Sequence, residues 1–392
     1  MNAVVETRDM PSTVIRLGWV SFLTDVSSEM IVSLLPAFLA TLPGAAALAL
    51  GWIEGVAEAT ASGVKVVSGR LTDRARARKP LVLLGYGLSS VVRPLIALAG
   101  SWVAVLVIRF FDRIGKGVRS APRDTLIAAV TPPERRGAAF GLHRAFDNAG
   151  AVLGPLVATG LMLGLGVSMR GVFALAAVPA ALSLAVLALG VKEEPAAPAA
   201  AARERPAPDA PLPPAFWRAA GVIFFFTLAA SSDAFLLLKA REVGIAPAFL
   251  PLVWSYANGV KSLLNTWGGA LSDRFGRKAL LLAAWLLYAA CYAGFALVAR
   301  PAALVALIGI YSIYGALSEG TERALVADLV PAESRGRAFG WLHGLTGFAA
   351  LPASAVFGLL WQRFGSASAF FTGAAIALVA AVALAAAVRP QR

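Results

Sequence analysis

Apolar residues in this chain come in long, nearly unbroken runs, not in the short alternation of a half-buried strand or the narrow stripe of a surface helix. Runs of about 20 residues recur from end to end, each long enough for a helix to cross a hydrocarbon core of about 30 Å. They predict spans near 14–40, 48–70, 80–99, 102–127, 138–164 and 170–191, and a second set near 216–240, 247–271, 279–299, 302–328, 337–361 and 367–388. The expected fold is an all-α membrane protein with 12 transmembrane helices in two pseudo-symmetric six-helix bundles. Between the sets, residues 192–214 (KEEPAAPAAAARERPAPDAPLPP) have no apolar periodicity and read as an extended cytoplasmic linker. The expected domains are therefore 1–191, the linker 192–214, and 215–392.

The two sets repeat one another. GRLTDRARARK at 69–79 returns as GALSDRFGRK at 269–278, and RDTLIAAVTPPERRGAAFG at 123–141 returns as RALVADLVPAESRGRAFG at 323–340. SSE at 27–29 has a looser echo in SSD at 231–233. The matched residues are mostly polar and occupy equivalent places, which chance likeness between oily helices does not produce. Duplicated halves of this kind mark secondary transporters, with the solute site near the bilayer midplane.

Composition agrees, and charge adds a topology. The 392 residues are 58% hydrophobic with a mean hydropathy of +0.74, too apolar for a soluble domain. A net charge of +13 first suggests nucleic acid. Most of the basic residues, however, fall in alternate loops, among them Arg70 to Lys79, Arg135, Arg136, Arg274 to Lys278, Arg335, Arg337, Arg389 and Arg392. The opposite loops hold few, namely Arg170, Lys239, Arg241, Arg300 and Arg363. This positive-inside asymmetry puts both termini in the cytoplasm of a cell whose inner membrane holds the chain. It leaves no need for nucleic acid as a partner, and the basic face suits anionic lipid. Asp25 and Glu29 inside the first apolar run argue against a cleavable signal. With one cysteine, Cys291, no intrachain disulfide is available, and no Cys/His spacing suggests a metal. GKG at 115–117 lacks the rest of a phosphate-binding loop, so ATP hydrolysis is unsupported. The reading is of a non-enzyme without a cofactor, driven by an ion gradient.

At the repeated loops the sequence resembles the major facilitator superfamily, and the likeness spans essentially the whole chain. Its signature between helices 2 and 3 is met in full by Gly269, Leu271, Ser272, Asp273, Arg274, Gly276, Arg277 and Lys278. The first copy keeps Gly69, Leu71, Thr72, Asp73, Arg74, Arg78 and Lys79 but has Arg76 and Ala77 where the pattern has Gly and Arg. The resemblance implies alternating access, a monomer able to work alone, and a conformational latch in which Asp73 and Asp273 pair with basic groups at neighbouring helix ends. The plainer alternative is a solvated basic turn. Gly141, Gly150, Gly154 and Pro155 follow a spacing that resembles the helix 5 motif of proton-coupled exporters, although Ala158 and Thr159 stand where it ends in glycines. That likeness implies a hinge; ordinary small-residue packing is the alternative.

The candidate chemistry lies in ionisable residues inside the spans, each costing about 2.5–3.5 kcal/mol at a helix centre. They must pair, line a wet cavity or lie near an interface. Helix 4 bears Arg109, Asp112, Arg113, Lys116, Arg119 and Arg123 on one side, a stripe that faces away from lipid. By resemblance, helices 1, 4, 7 and 10 line the central cavity; the alternative is an ion-pair ladder to acids of helices 1 and 2. Candidate proton carriers are Asp25 and Glu29 on helix 1, Asp233 on helix 7, and Glu319 and Glu322, with Arg323, on helix 10. Glu319 stands 200 residues after Arg119. Glu54 and Glu58 share a face of helix 2. The two histidines, His143 and His343, titrate in the range a proton relay needs. Their one-residue offset in the repeat favours packing at the cytoplasmic helix ends. The function expected is proton-coupled export of a small-molecule solute across the lipid bilayer. The alternatives are proton-coupled uptake of a small organic anion and, more remotely, a non-transporting sensor or scaffold.

Overall fold

The computed structural model describes residues 10–44, 46–74, 77–132, 135–191, 211–331 and 334–387, apart from the side chains of residues 70, 73, 74, 136–138, 265–270, 272, 273, 335 and 336. Most of the linker, 192–210, and the basic residues Arg389 and Arg392 lie outside the described residues. Among those described, every regular element is helical. In the first repeat the spans are α1 (Ser12–Val32) with α2 (Leu35–Leu39), α3 (Ala46–Arg74), α4 (Lys79–Val92) continued by a 3-10 stretch Arg93–Leu98, α5 (Trp102–Val130), α6 (Arg136–Leu165), and α7 (Met169–Leu175) with α8 (Ala177–Ala185) and a π-helical turn Val186–Gly190. In the second they are α9 (Pro214–Ala229) with α10 (Ala234–Glu242), α11 (Leu250–Phe275), α12 (Arg277–Leu297), α13 (Pro301–Asp328), α14 (Arg335–Phe364) and α15 (Ser366–Ala387). Twelve membrane-length helical segments thus stand where the twelve apolar runs predict them. Among the described residues, nine are both long and apolar enough to cross a membrane. The other three, α3, α5 and α11, are diluted by polar and charged residues such as Glu54, Glu58, Arg109, Asp112 and Lys261.

Local chemistry sets the ends. Ser101 Oγ accepts from Ala104 N at 3.2 Å to start α5, and Ser168 Oγ accepts from Gly171 N at 3.2 Å to start α7. Gly166, with φ 65°, closes α6 in the left-handed region that a Cβ disfavours. The equivalent first helices of both repeats are interrupted, the first at Ser33–Leu34 and the seventh at 230–233. The later helices repeat faithfully: α6 and α14 begin and end 199 residues apart. The sequence match at 69 and 269 gives an offset of 200, but the second loop is one residue shorter. At the helical offset, Arg119 corresponds to Ser318, not to Glu319 as the sequence match suggests.

The chain divides into two compact units, Met1–Leu35 with Gly63–Ala200, and Pro36–Ser62 with Ala201–Arg392. In the first unit, α1 lies against α6 at Gly18, Gly150 and Gly154, and α4 crosses α5 where Gly85 faces Gly115. Val14, Leu17, Val20, Tyr86, Leu126, Ile127 and Leu187 form its apolar cluster. The second unit is built on rings: Phe226 stacks on Trp285 at 4.1 Å, and Tyr288 stacks on Tyr292 at 4.1 Å. The sequence places 36–62 in the first repeat, but the first half of α3 packs in the second unit. The cause is a run of missing side chains: a Cβ on Gly55 would stand 2.9 Å from Leu351 O, and Gly51 and Gly358 meet Ser354 O and Ala47 O more closely still. The far end of α3 belongs to the first unit, where Ser68 Oγ donates to Val118 O at 2.7 Å.

Candidate functional site

In the first unit the charged stripe of α5 splits into a sealed part and an open part. Arg93, at the end of α4, donates from Nε and Nη2 to Asp112 Oδ1 at 3.2 and 2.9 Å and from Nη1 to Thr24 O at 3.0 Å. Arg109 Nη1 lies 3.7 Å from Asp112 Oδ2. Ser89 Oγ donates to Asp112 O at 3.0 Å and accepts from Arg119 Nη1 at 2.9 Å, while the Arg119 guanidinium sits 4.3 Å from the Tyr86 ring centre. Arg93, Arg109, Asp112 and Arg119 are all 5% exposed or less, so three guanidinium groups gather about one carboxylate. These bonds tie the end of α4 to α5 at the crossing that the glycine contact at 85 and 115 makes close. The partner of Asp112 thus comes from helix 3; Arg93 is visible in the sequence as a base inside a span, but nothing in its spacing assigns it to Asp112.

The open part comprises half-buried Arg113, exposed Lys116, and Arg123, whose Nη2 pairs with Asp124 Oδ1 at 2.8 Å. Facing it on α1 are the half-buried Asp25 and Glu29; the charged groups acting on Asp25 are Asp147, Lys116, Glu29 and Arg119. Both acids are seated by the helix 5 glycines. A Cβ on Gly150 would stand 2.9 Å from Asp25 Cβ, and one on Gly154 would stand 2.9 Å from Glu29 Cβ. Gly141 faces open space, and Pro155 lies inside α6, which runs unbroken through it.

The second unit arranges its acids differently. Asp233 stands in the break between α9 and α10, exposed, and accepts from Tyr311 OH at 2.6 Å. Beside it Ser232 Oγ donates to Glu54 Oε2 at 3.5 Å, at the limit of a hydrogen bond; Glu58 is exposed one turn further along α3. On α13, Glu319 is bracketed by Lys261 at 3.3 Å and Arg323 at 3.1 Å, while Glu322 accepts from Ser318 Oγ at 2.6 Å. Among the described residues no group of three or more His, Cys, Asp or Glu is placed to hold a metal ion.

Of the latch residues, the side chains of Asp73, Arg74, Gly269 and Asp273 lie outside the described residues. Gly69 has open space where a Cβ would be, and the Arg274 guanidinium lies 5.6 Å from the Phe275 ring. Arg277 Nε donates to Asp328 Oδ2 at 3.2 Å at the end of α13. The last residue of each signature has a role its spacing does not reveal. Lys79 Nζ donates to Ala188 O at 2.9 Å and Lys278 Nζ to Ala385 O at 2.6 Å, each neutralising the carbonyl end of the sixth helix of its own repeat.

Comparison with known proteins gives a consistent result. A sequence model described as the Major Facilitator Superfamily matches residues 17–240 and 220–392. The chain is 33% identical to an uncharacterised MFS-type transporter of Methanocaldococcus jannaschii over 96% of this chain and 95% of that one. It is 32% identical to the multidrug resistance protein MdtH of Photorhabdus laumondii over 30% of this chain and 29% of that protein. Among solved structures, a point mutant of the nucleoside transporter NupG superposes with a TM-score of 0.79 at 16% identity, covering 96% of this chain and all of the other.

Proposed function

The chain belongs to the Major Facilitator Superfamily, and on that premise we propose that it exports a small solute by alternating access, driven by protons moving the other way. The observation that carries this reading is the seating of Asp25 and Glu29 against Gly150 and Gly154. The glycine–proline spacing that resembles exporters brings two carboxyl groups of α1 against α6, in reach of the Lys116 and Arg119 charges. A carboxyl group in such a setting changes its proton affinity when its cationic neighbours move away, which is what coupling requires. Likeness to a multidrug resistance protein over the aligned third supports export. The proposal places the chain in the inner membrane with both termini in the cytoplasm, working as a monomer without a cofactor.

The test begins with a thermal-shift screen of purified protein against metabolites and drugs to find a stabilising solute. That solute is then loaded into proteoliposomes containing the dye pyranine. Efflux of solute should bring protons in and acidify the lumen in strict proportion to solute moved, and a protonophore should abolish the build-up of a solute gradient. Transport indifferent to protonophore removes the coupling. Gradient-driven accumulation in whole cells, lost on deleting the gene, reverses the direction and favours uptake.

A further inference from the structure

The α1–α6 contact holds a second titratable group that the proposal above does not use. His143, on the first turns of α6, is 4% exposed. Its Nδ1 lies 3.6 Å from Oδ2 of Asp147, one turn later on the same helix. The other ring nitrogen, Nε2, and the other carboxyl oxygen, Oδ1, are both enclosed and have no hydrogen-bond partner among the described residues. An enclosed polar atom of this kind is stabilised by taking up or giving a proton or by meeting a water, since leaving it bare costs about 1–3 kcal/mol. The 3.6 Å gap lies just beyond a direct bond and closes with a small side-chain rotation.

The pair is also connected outward. The Asp147 side chain is 22% exposed, against 5% for the imidazole, so of the two it is the one open to the outside of the contact. Gly150 follows Asp147 by one turn and brings Asp25 of α1 against the same stretch of α6. Charges on α1, α5 and α6 bear on the cluster: Arg123 and Asp124 of α5 and Arg144 of α6 act on His143, and Lys116 and Arg119 of α5 and Glu29 of α1 act on Asp25. The position is particular to the first repeat. At the 199-residue offset, Leu342 and Thr346 replace His143 and Asp147.

We propose that His143, Asp147 and Asp25 form a proton-binding site at the α1–α6 contact, in which the carboxylates exchange protons with water and the imidazole holds one behind them. The proton leaves a carboxyl oxygen of Asp147 for Nδ1 of His143, giving a carboxylate beside an imidazolium, and returns by the same path. Its use in coupling rests on the proton-driven reading above; its existence does not.

The test needs neither solute nor gradient. His143 and His343 are the two histidines, so a His343→Asn variant labelled with 15N-histidine reports His143 alone. In nanodiscs, the ring N–H of His143 should exchange with water at least about tenfold faster than in the same protein carrying Asp147→Asn, as expected when a general base is removed. Asp147→Glu should restore fast exchange, and Asp25→Asn should slow it in part. A His143 ring N–H protected from water in the unmodified site overturns the proposal, as does exchange unchanged by Asp147→Asn. Such a result would leave solute-driven proton movement in the pyranine assay untouched. Loss of that movement with fast, Asp147-dependent exchange would instead remove the transport reading and keep the proton site.

Discussion

Removing the single carboxylate from the sealed cluster is the sharpest test of how the first unit is held together. Asp112 takes two hydrogen bonds from Arg93, at 2.9 and 3.2 Å, and lies 3.7 Å from Arg109. Asp112→Leu leaves those two guanidinium groups, each 3% exposed or less, facing one another without the anion. Breaking a buried pair in this way costs about 3–5 kcal/mol. Arg93→Met together with Asp112→Leu should recover part of the loss, since one stranded charge disappears with its partner. Recovery should stay incomplete because Arg109 remains. The double-mutant cycle should therefore give a coupling of about 1–3 kcal/mol. Equilibrium unfolding in mixed micelles, followed by tryptophan fluorescence, measures both. If Asp112→Leu costs less than about 1 kcal/mol, in the range of an ordinary substitution, the cluster is not structural and the reasoning fails.

Other positions give simpler expectations. Gly150→Val pushes a side chain into Phe22 O and Asp25, where even a Cβ stands 2.7 and 2.9 Å away, and should destabilise by about 1–3 kcal/mol in the same assay. Gly141→Ala, facing open space within the same helix, should instead be neutral or stabilising by about 0.5–1 kcal/mol. Lys79→Met and Lys278→Met remove the donors to Ala188 O and Ala385 O, and hydrogen exchange followed by mass spectrometry should show faster fraying at those two helix ends with the rest of the chain unchanged.

The fold was readable because lipid imposes long apolar runs, and these survive even where a helix is interrupted. The interruption at 230–233 was not readable: Ser231, Ser232 and Asp233 form no breaker such as proline or glycine, and the break is held by tertiary bonds, from Tyr288 OH to Ala229 O at 3.0 Å and from Tyr311 to Asp233. The stripe on α5 was readable as one face, since it follows from helical period alone. Its division into a sealed cluster and an open row depends on α4, whose approach is set by Gly85 and Gly115, residues that carry no charge signal. The packing of 36–62 with the second unit escaped for the same reason, because glycines at 51, 55 and 358 announce closeness without naming the neighbour.

The repeat shows one scaffold filled twice by different chemistry. At the 199-residue offset, Lys79 and Lys278 do the same work at the same kind of helix end. The crossing they lead into does not. Arg93 and Asp112, an ion pair at 2.9 Å, stand where Tyr292 and Tyr311 face each other with ring centres 6.1 Å apart. Ser89 and Gly115 correspond to Tyr288 and Tyr314, which meet edge to face at 4.8 Å. Small residues with buried charges in one unit are thus exchanged for large rings in the other. Both solutions fill the crossing, but they differ in what they leave at its mouth. The ionic version exposes Lys116 and half-exposes Arg113, across from the half-buried Asp25 and Glu29 of α1. The aromatic version uses Tyr311 to hold Asp233 at a broken helix. Duplication therefore kept the lysine contacts at the helix ends and left the crossing residues to diverge, ionic in one unit and aromatic in the other.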